Sequence, residues 1–233
     1  MISLHDHTFN GTSAETVLRM FPVMETKEDP PTSGENILQV PDELLLRPGT
    51  IPVLNIRDPR ATIPANYRVL TRFGLEHGGS LPLLSMTSNL IWTRLLYNFF
   101  VSRGIEPVVV DADDLMTDRE FVGRLCIRLG LDPEAVIFSW PKITEEEKAE
   151  MHPMQYISQS RLYESTGVDS GLAVKNRNME AEEIAWKQEF GEDADMVEGC
   201  IDRAMPHYKW LFERRFRWGT PSPAQEHRSS EGR

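Results

Sequence analysis

The sequence predicts an α/β fold, a three-layer parallel sheet with a helical carboxyl-terminal portion. Two short β-branched runs, Ile51 to Ile56 and Glu106 to Asp111, read as strands covered on both sides. A long apolar stretch with helical spacing separates them, and strands separated by helices of that length imply parallel pairing with helices on both faces. The last third is helical in pattern and would pack against that layer or form a small cap.

Taken in order, Ile2 to His7 alternates weakly and reads as a short strand, and Thr12 to Met20 has helix character through Val17 and Leu18. Residues 22–36 are rich in turn formers and charges and read as an exposed loop. After the strand ending at Ile56, Pro64 is expected in the first turn of a helix, where its missing N–H costs least. Leu83 to Arg103 reads as one long helix, with Leu84, Thr87, Leu90, Ile91, Leu95, Phe99 and Phe100 near helical spacing and Gly104 as its stop. Thr117 and Glu120 have the spacing of a capping box, and the helix behind them would bury Phe121, Val122, Leu125, Cys126 and Leu129 before Gly130. Asp132-Pro133 has the residues of an N-cap and first helical position. Residues 180–216 read as helical, and the tail from Gly219 has little to bury and is expected to be disordered. The domain reading is therefore a core over 1–140, a helical portion of the same domain over 141–218, and a tail over 219–233.

Composition narrows the function. The 233 residues are 40% hydrophobic and 26% charged, ordinary for a soluble globular chain, with a net charge of −11 and a pI near 5.1. Residues 144–200 hold fourteen Asp and Glu against five Lys and Arg, a balance of −9. Such a surface argues against nucleic acid as the main partner, and its simplest reading is a solvated helical face. No window approaches the ~18 apolar residues of a membrane span, and no secretory signal is seen in residues 1–20. Cys126 and Cys200 lie far apart in helical patterns, so a disulfide framework or zinc site is not expected and a reducing, cytoplasmic location fits.

Three constellations could carry chemistry. On a strand His5 and His7 would share a face. They could share a metal, but no third ligand has suitable spacing; a surface role or a general base are the other readings. Arg57-Asp58-Pro59-Arg60 follows the first buried strand. Ligands of open α/β folds bind outside the carboxyl ends of strands, and an arginine fork there suits a phosphate. The other reading is a strand-end arginine paired with an acid. Asp111-Ala112-Asp113-Asp114 follows the second strand and could coordinate magnesium, or could cap a helix and pair with a basic residue. No Gly-x-x-x-x-Gly-Lys-Ser/Thr, Gly-x-Gly-x-x-Gly or Gly-x-Ser-x-Gly pattern occurs.

Three blocks together resemble the sulfotransferase branch of the P-loop nucleoside triphosphate hydrolase superfamily, and more closely the divergent sulfotransferase-like proteins of fungi. They are Ile2-Ser3-Leu4-His5-Asp6-His7, the run from Leu54-Asn55-Ile56-Arg57-Asp58-Pro59-Arg60 to Tyr67-Arg68, and Val108 to Asp118 leading to Leu129-Gly130-Leu131. The resemblance covers roughly residues 1–140. It places His7 on the family's catalytic base, His5 on its lysine, Arg57 on the arginine that binds the donor's 3′-phosphate, and Ala65 on that arginine's partner serine. It implies 3′-phosphoadenosine 5′-phosphosulfate as cofactor, a small hydroxylated acceptor, and a place in fungal secondary metabolism.

The family's first strand and phosphate loop precede the histidine block, where this chain begins, and no late Arg-Lys-Gly segment is found. The resemblance therefore implies an incomplete, amino-terminally shortened sheet. Its unpaired edges would favour a homo-oligomer. The alternative is a non-catalytic binding or scaffold protein that keeps the fold with a decayed donor site.

Overall fold

The computed structural model describes residue 12 and residues 14–24, 34–74 and 81–218. In chain order the elements are α1 (Ala14–Met24), α2 (Asp42–Leu45), β1 (Val53–Ile56), α3 (Pro59–Arg72), α4 (Leu81–Ser88), α5 (Ile91–Ser102), β2 (Val108–Asp111), α6 (Ala112–Thr117), α7 (Arg119–Leu129), α8 (Glu145–Glu150), α9 (Pro153–Tyr163), α10 (Met179–Phe190) and α11 (Ala194–Glu213). The fold is α/β and mostly helical, around a small parallel sheet of two strands among the described residues. The expected strand at Ile2–His7 and the expected tail lie outside the described residues, as does most of the loop expected over 22–36.

β1 and β2 pair in parallel with Val53 opposite Val108 and Ile56 opposite Asp111. Parallel strands need a crossover, which α3, α4 and α5 supply. The Val108 N–H donates to the Pro52 carbonyl at 2.8 Å, which sets the register of the ladder. Side chains alternate across the sheet. Leu54, Ile56 and Val109 join Leu96, Phe99, Phe100 and Leu211 in one core, while Val108 and Val110 join Phe121 and Leu125 of α7 in another. Helices thus cover both faces of β2, whereas Val53 and Asn55 of β1 stay exposed. Beyond α11, the Phe216 N–H donates to the Val109 carbonyl at 2.7 Å, so that a third segment runs parallel to β2 at Arg215.

Several boundaries differ from the sequence expectation for local reasons. α3 starts at Pro59, not near Pro64: the Asp58 carboxylate accepts the Arg60 N–H, Pro59 takes the first position, and Pro64 lies inside the helix. The single helix expected over Leu83–Arg103 is two helices. Asn89 Oδ1 accepts the Ile91 N–H at 2.9 Å and the Trp92 indole donates to the Met86 carbonyl, so side chains replace the helical ladder at the break. The cap of α7 is Asp118, whose carboxylate accepts the Phe121 N–H; Thr117 instead turns back to donate to the Asp113 carbonyl. Gly130 ends α7 at φ 69°, left-handed as its position requires. Asp132-Pro133 opens only a short 3₁₀ turn, Pro133–Ala135. The helical run from 180 is broken at Gly191–Asp193 between α10 and α11.

α11 packs along α3 and α4, and α10 closes the seam. Ile63, Tyr67, Leu84, Trp186, Val197 and Ala204 are buried there. This seam brings the helical portion back onto the strand-bearing half. No helix among the described residues is long and apolar enough to cross a membrane.

Candidate functional site

The carboxyl ends of the two strands lie side by side and deliver different chemistry. β1 ends into Arg57 and Asp58, and β2 ends at Asp111 and runs directly into α6. Asp58 is consumed by structure: it caps α3 and pairs with Arg60 at 2.6 Å. Asp111 is 1% exposed. Its Oδ1 accepts the Asp113 N–H as the cap of α6, and its Oδ2 accepts the Tyr208 hydroxyl at 3.0 Å. Burial pushes the Asp111 carboxyl up from its usual range, against the two hydrogen bonds that favour the charged form. The Tyr208 phenol is also raised, first by burial and then by the Asp111 charge. Asp114 pairs with Arg215 at 3.2 Å.

Arg57 is placed differently. Its Nη2 donates to the Leu172 carbonyl at 3.1 Å, in the turn that follows α9, and its Nε is buried with no partner among the described residues. No carboxylate forms an ion pair with it among those residues. Burial lowers its pKa from the usual arginine value, and the charges of Arg177 and Arg161 lower it further, with Asp113 and Asp111 opposing. Three arginines from three segments thus converge. Arg177 is forked onto Glu182, while Arg161, exposed on α9, has no hydrogen-bond or ion-pair partner among the described residues. A half-buried guanidinium that feels two further cations as well as two carboxylates, and that has no ion pair of its own among the described residues, offers its free donors to an anion.

Asp113 faces the same turn. Its Oδ2 accepts the Lys175 N–H at 3.1 Å, three residues beyond the carbonyl that Arg57 holds, and its Oδ1 is buried without a partner. Among the described residues no group of three or more His, Cys, Asp or Glu is set to hold a metal ion. A cavity of about 340 Å³, lined by residues such as Arg124, Arg215 and Trp218, lies beyond Asp114 and does not include Arg57.

Of the sequence-predicted site residues, His7 and His5 lie outside the described residues and Arg57 stands at the strand end. Arg60 and Arg68 are engaged elsewhere, with Asp58 and with Glu189. Ala65 is half-buried on α3. Arg161 and Arg177 were not visible as site residues, because more than a hundred positions separate them from Arg57 and no local pattern links the three.

Two curated fungal proteins are similar to this chain. It is 33% identical over 195 residues to the protein named Sulfotransferase ppzF from Metarhizium majus (strain ARSEF 297). It is 32% identical over 195 residues to the protein of the same name from Metarhizium rileyi (strain RCEF 4871). Each alignment covers 78% of this chain and 57% of the relative, so the chain spans little more than half the length of the curated relatives it matches. No family model matches the chain, and no solved structure matches it. In sequence the chain is sulfotransferase-like over most of its length.

Proposed function

We propose that this chain is a sulfotransferase-like protein of the P-loop superfamily, with the three-layer sheet of that family, working in the cytoplasm in fungal secondary metabolism. The observation that carries the reading is Arg57: a half-buried arginine at a strand's carboxyl end, with a buried, unpartnered Nε and no ion-pair partner among the described residues. Its donor set fits a phosphate, and the sulfotransferase name of the similar fungal proteins supplies the chemical class. In this reading Arg57 binds the 3′-phosphate of 3′-phosphoadenosine 5′-phosphosulfate, and Arg161 and Arg177 add positive potential around it. The sulfuryl group moves from the donor to a small hydroxylated acceptor; adenosine 3′,5′-bisphosphate leaves, and His7 takes the acceptor proton.

One observation favours a second reading, a non-catalytic binding protein that keeps the fold. The Leu172 carbonyl already accepts from Arg57 Nη2, so part of the guanidinium fork is engaged within the fold itself. Calorimetric titration with adenosine 3′,5′-bisphosphate separates the readings. Saturable binding by the wild type is expected, and its absence sinks donor binding. Binding together with turnover that disappears in His7→Ala supports the enzyme. Binding without turnover selects the second reading.

A further inference from the structure

Arg57 Nε and Asp113 Oδ1 are both buried and both lack a partner among the described residues. They are opposite in kind: one donates and carries positive charge, the other accepts and carries negative charge. They do not bond to each other, yet both side chains are held against one short segment. Arg57 Nη2 reaches the Leu172 carbonyl, and Asp113 Oδ2 takes the Lys175 N–H. The second contact fixes the Asp113 carboxylate, which also stands in the first turn of α6. Its free oxygen is therefore aimed rather than mobile. Buried polar groups are nearly always satisfied, so an orphaned donor and an orphaned acceptor on two side chains held by the same segment call for a partner that the described residues do not supply. That group must accept at one end and donate at the other.

We propose that Asp113 is a binding residue that accepts a hydrogen bond from a hydroxyl adjacent to the anion held by Arg57, and that the chain thereby selects a ribose phosphate with a free neighbouring hydroxyl over its deoxyribose counterpart. This rests on the donor-binding reading above. A cationic donor such as an amine is disfavoured at Asp113, because the Arg57 guanidinium already faces its carboxylate and is itself raised in positive potential by Arg177 and Arg161. A neutral hydroxyl carried by the anion itself meets both demands. In adenosine 3′,5′-bisphosphate the 2′-hydroxyl lies beside the 3′-phosphate, so the nucleotide offers the pair in the required order.

The test compares adenosine 3′,5′-bisphosphate with its 2′-deoxy analogue by calorimetric titration of the full chain. The wild type is expected to bind the deoxy analogue about 10- to 100-fold more weakly, the size of a lost hydrogen bond to a charged group. Asp113→Ala should bind the two nucleotides equally. The ratio is the readout, because loss of the Lys175 contact could lower both affinities without changing their quotient. Asp113→Asn keeps the shape of the site and should reduce the ratio, so the idea remains testable if the alanine variant does not fold. Equal affinities in the wild type overturn the inference and leave donor binding intact. A ratio that persists in Asp113→Ala shows that another group reads the hydroxyl and overturns the assignment. Binding of neither nucleotide removes the donor reading and this inference together.

Discussion

The seam between α3, α10 and α11 and the carboxyl ends of β1 and β2 are built from the same residue types and treat them in opposite ways. In the seam, Tyr67 donates to Asp193 at 2.5 Å, and Arg68 forks onto both oxygens of Glu189 while its guanidinium stacks 5.2 Å from the Phe190 ring. At the strand ends, eleven positions before Arg68, Arg57 meets one carbonyl and leaves its Nε unbonded, and Asp113 keeps one oxygen unbonded. Charge placed to hold a fold is matched by its neighbours. Charge left incomplete lowers stability unless a ligand completes it, which is the trade-off seen where function needs a strained or unsatisfied site, and the proposed donor site is of that kind.

The sharpest way to break this comparison is to remove Arg57. Arg57→Ala should weaken adenosine 3′,5′-bisphosphate binding about 10- to 150-fold, as for a charge-assisted hydrogen bond. It should leave the urea midpoint unchanged or higher, because the lost cation has no ion-pair partner and lies near two other arginines. Unchanged affinity, or a clear loss of stability, would mean that Arg57 is a structural residue and that the two regions do not differ in kind.

The converse change belongs in the seam. Tyr67→Phe keeps the ring packed on Phe190, 4.6 Å between centroids, and removes only the hydroxyl that Asp193 accepts from. We expect a loss of about 1.5–3 kcal/mol in unfolding free energy, the value of a hydrogen bond to a charged group, with nucleotide affinity untouched. An altered affinity at equal stability would tie the seam to the site and blur the distinction.

How much of this could be read from the chain follows the same division. β1, β2 and the position of Arg57 were legible, because a β-branched run bounded by turn formers and a strand-end arginine are local signals. The break at Asn89 was not, since it depends on a side chain taking the Ile91 N–H inside an otherwise helical pattern. Nor was the choice of Asp118 over Thr117, two adjacent residues that are both good caps. The parallel segment at Arg215–Phe216 has no β-branched run to announce it and exists because it follows α11 back to Val109. Arg161 and Arg177 enter only through the packing of α9 on α3 and the turn at Leu172.

A pH series tests whether Asp111 belongs with the satisfied or the incomplete groups. Its two hydrogen bonds do not fully offset burial, so its folded-state pKa stands above its unfolded value of 3.8. A raised acid binds its proton more tightly when folded. Its contribution is therefore fully present below the unfolded pKa and is lost as pH rises through the folded one. Wild type should accordingly gain stability relative to Asp111→Asn as pH falls from 7 towards 4, read as the difference in urea midpoints. A difference that is flat, or that shrinks in the opposite sense, would show that Asp111 is as well matched as Asp193.

The smallest effect is expected at Arg68. The Arg68–Glu189 pair has good geometry, with Nη2 to Oε2 at 2.7 Å, but both side chains are nearly half exposed. Water screens such a pair, and holding two long side chains in one geometry offsets part of the attraction, so Arg68→Ala should lose only about 0.2–1 kcal/mol of unfolding free energy. The stack on Phe190 places the observed value towards the upper end of that range. Raising the salt concentration should shrink the difference between wild type and variant, because exposed charges are screened over about 10 Å at 0.1 M salt. Nucleotide affinity should not change, since Arg68 is committed to Glu189 and points along the seam. If Arg68→Ala weakened adenosine 3′,5′-bisphosphate binding as much as Arg57→Ala does, the matched arginine would be as functional as the unmatched one, and satisfaction of charge would no longer mark which of the two regions binds the ligand.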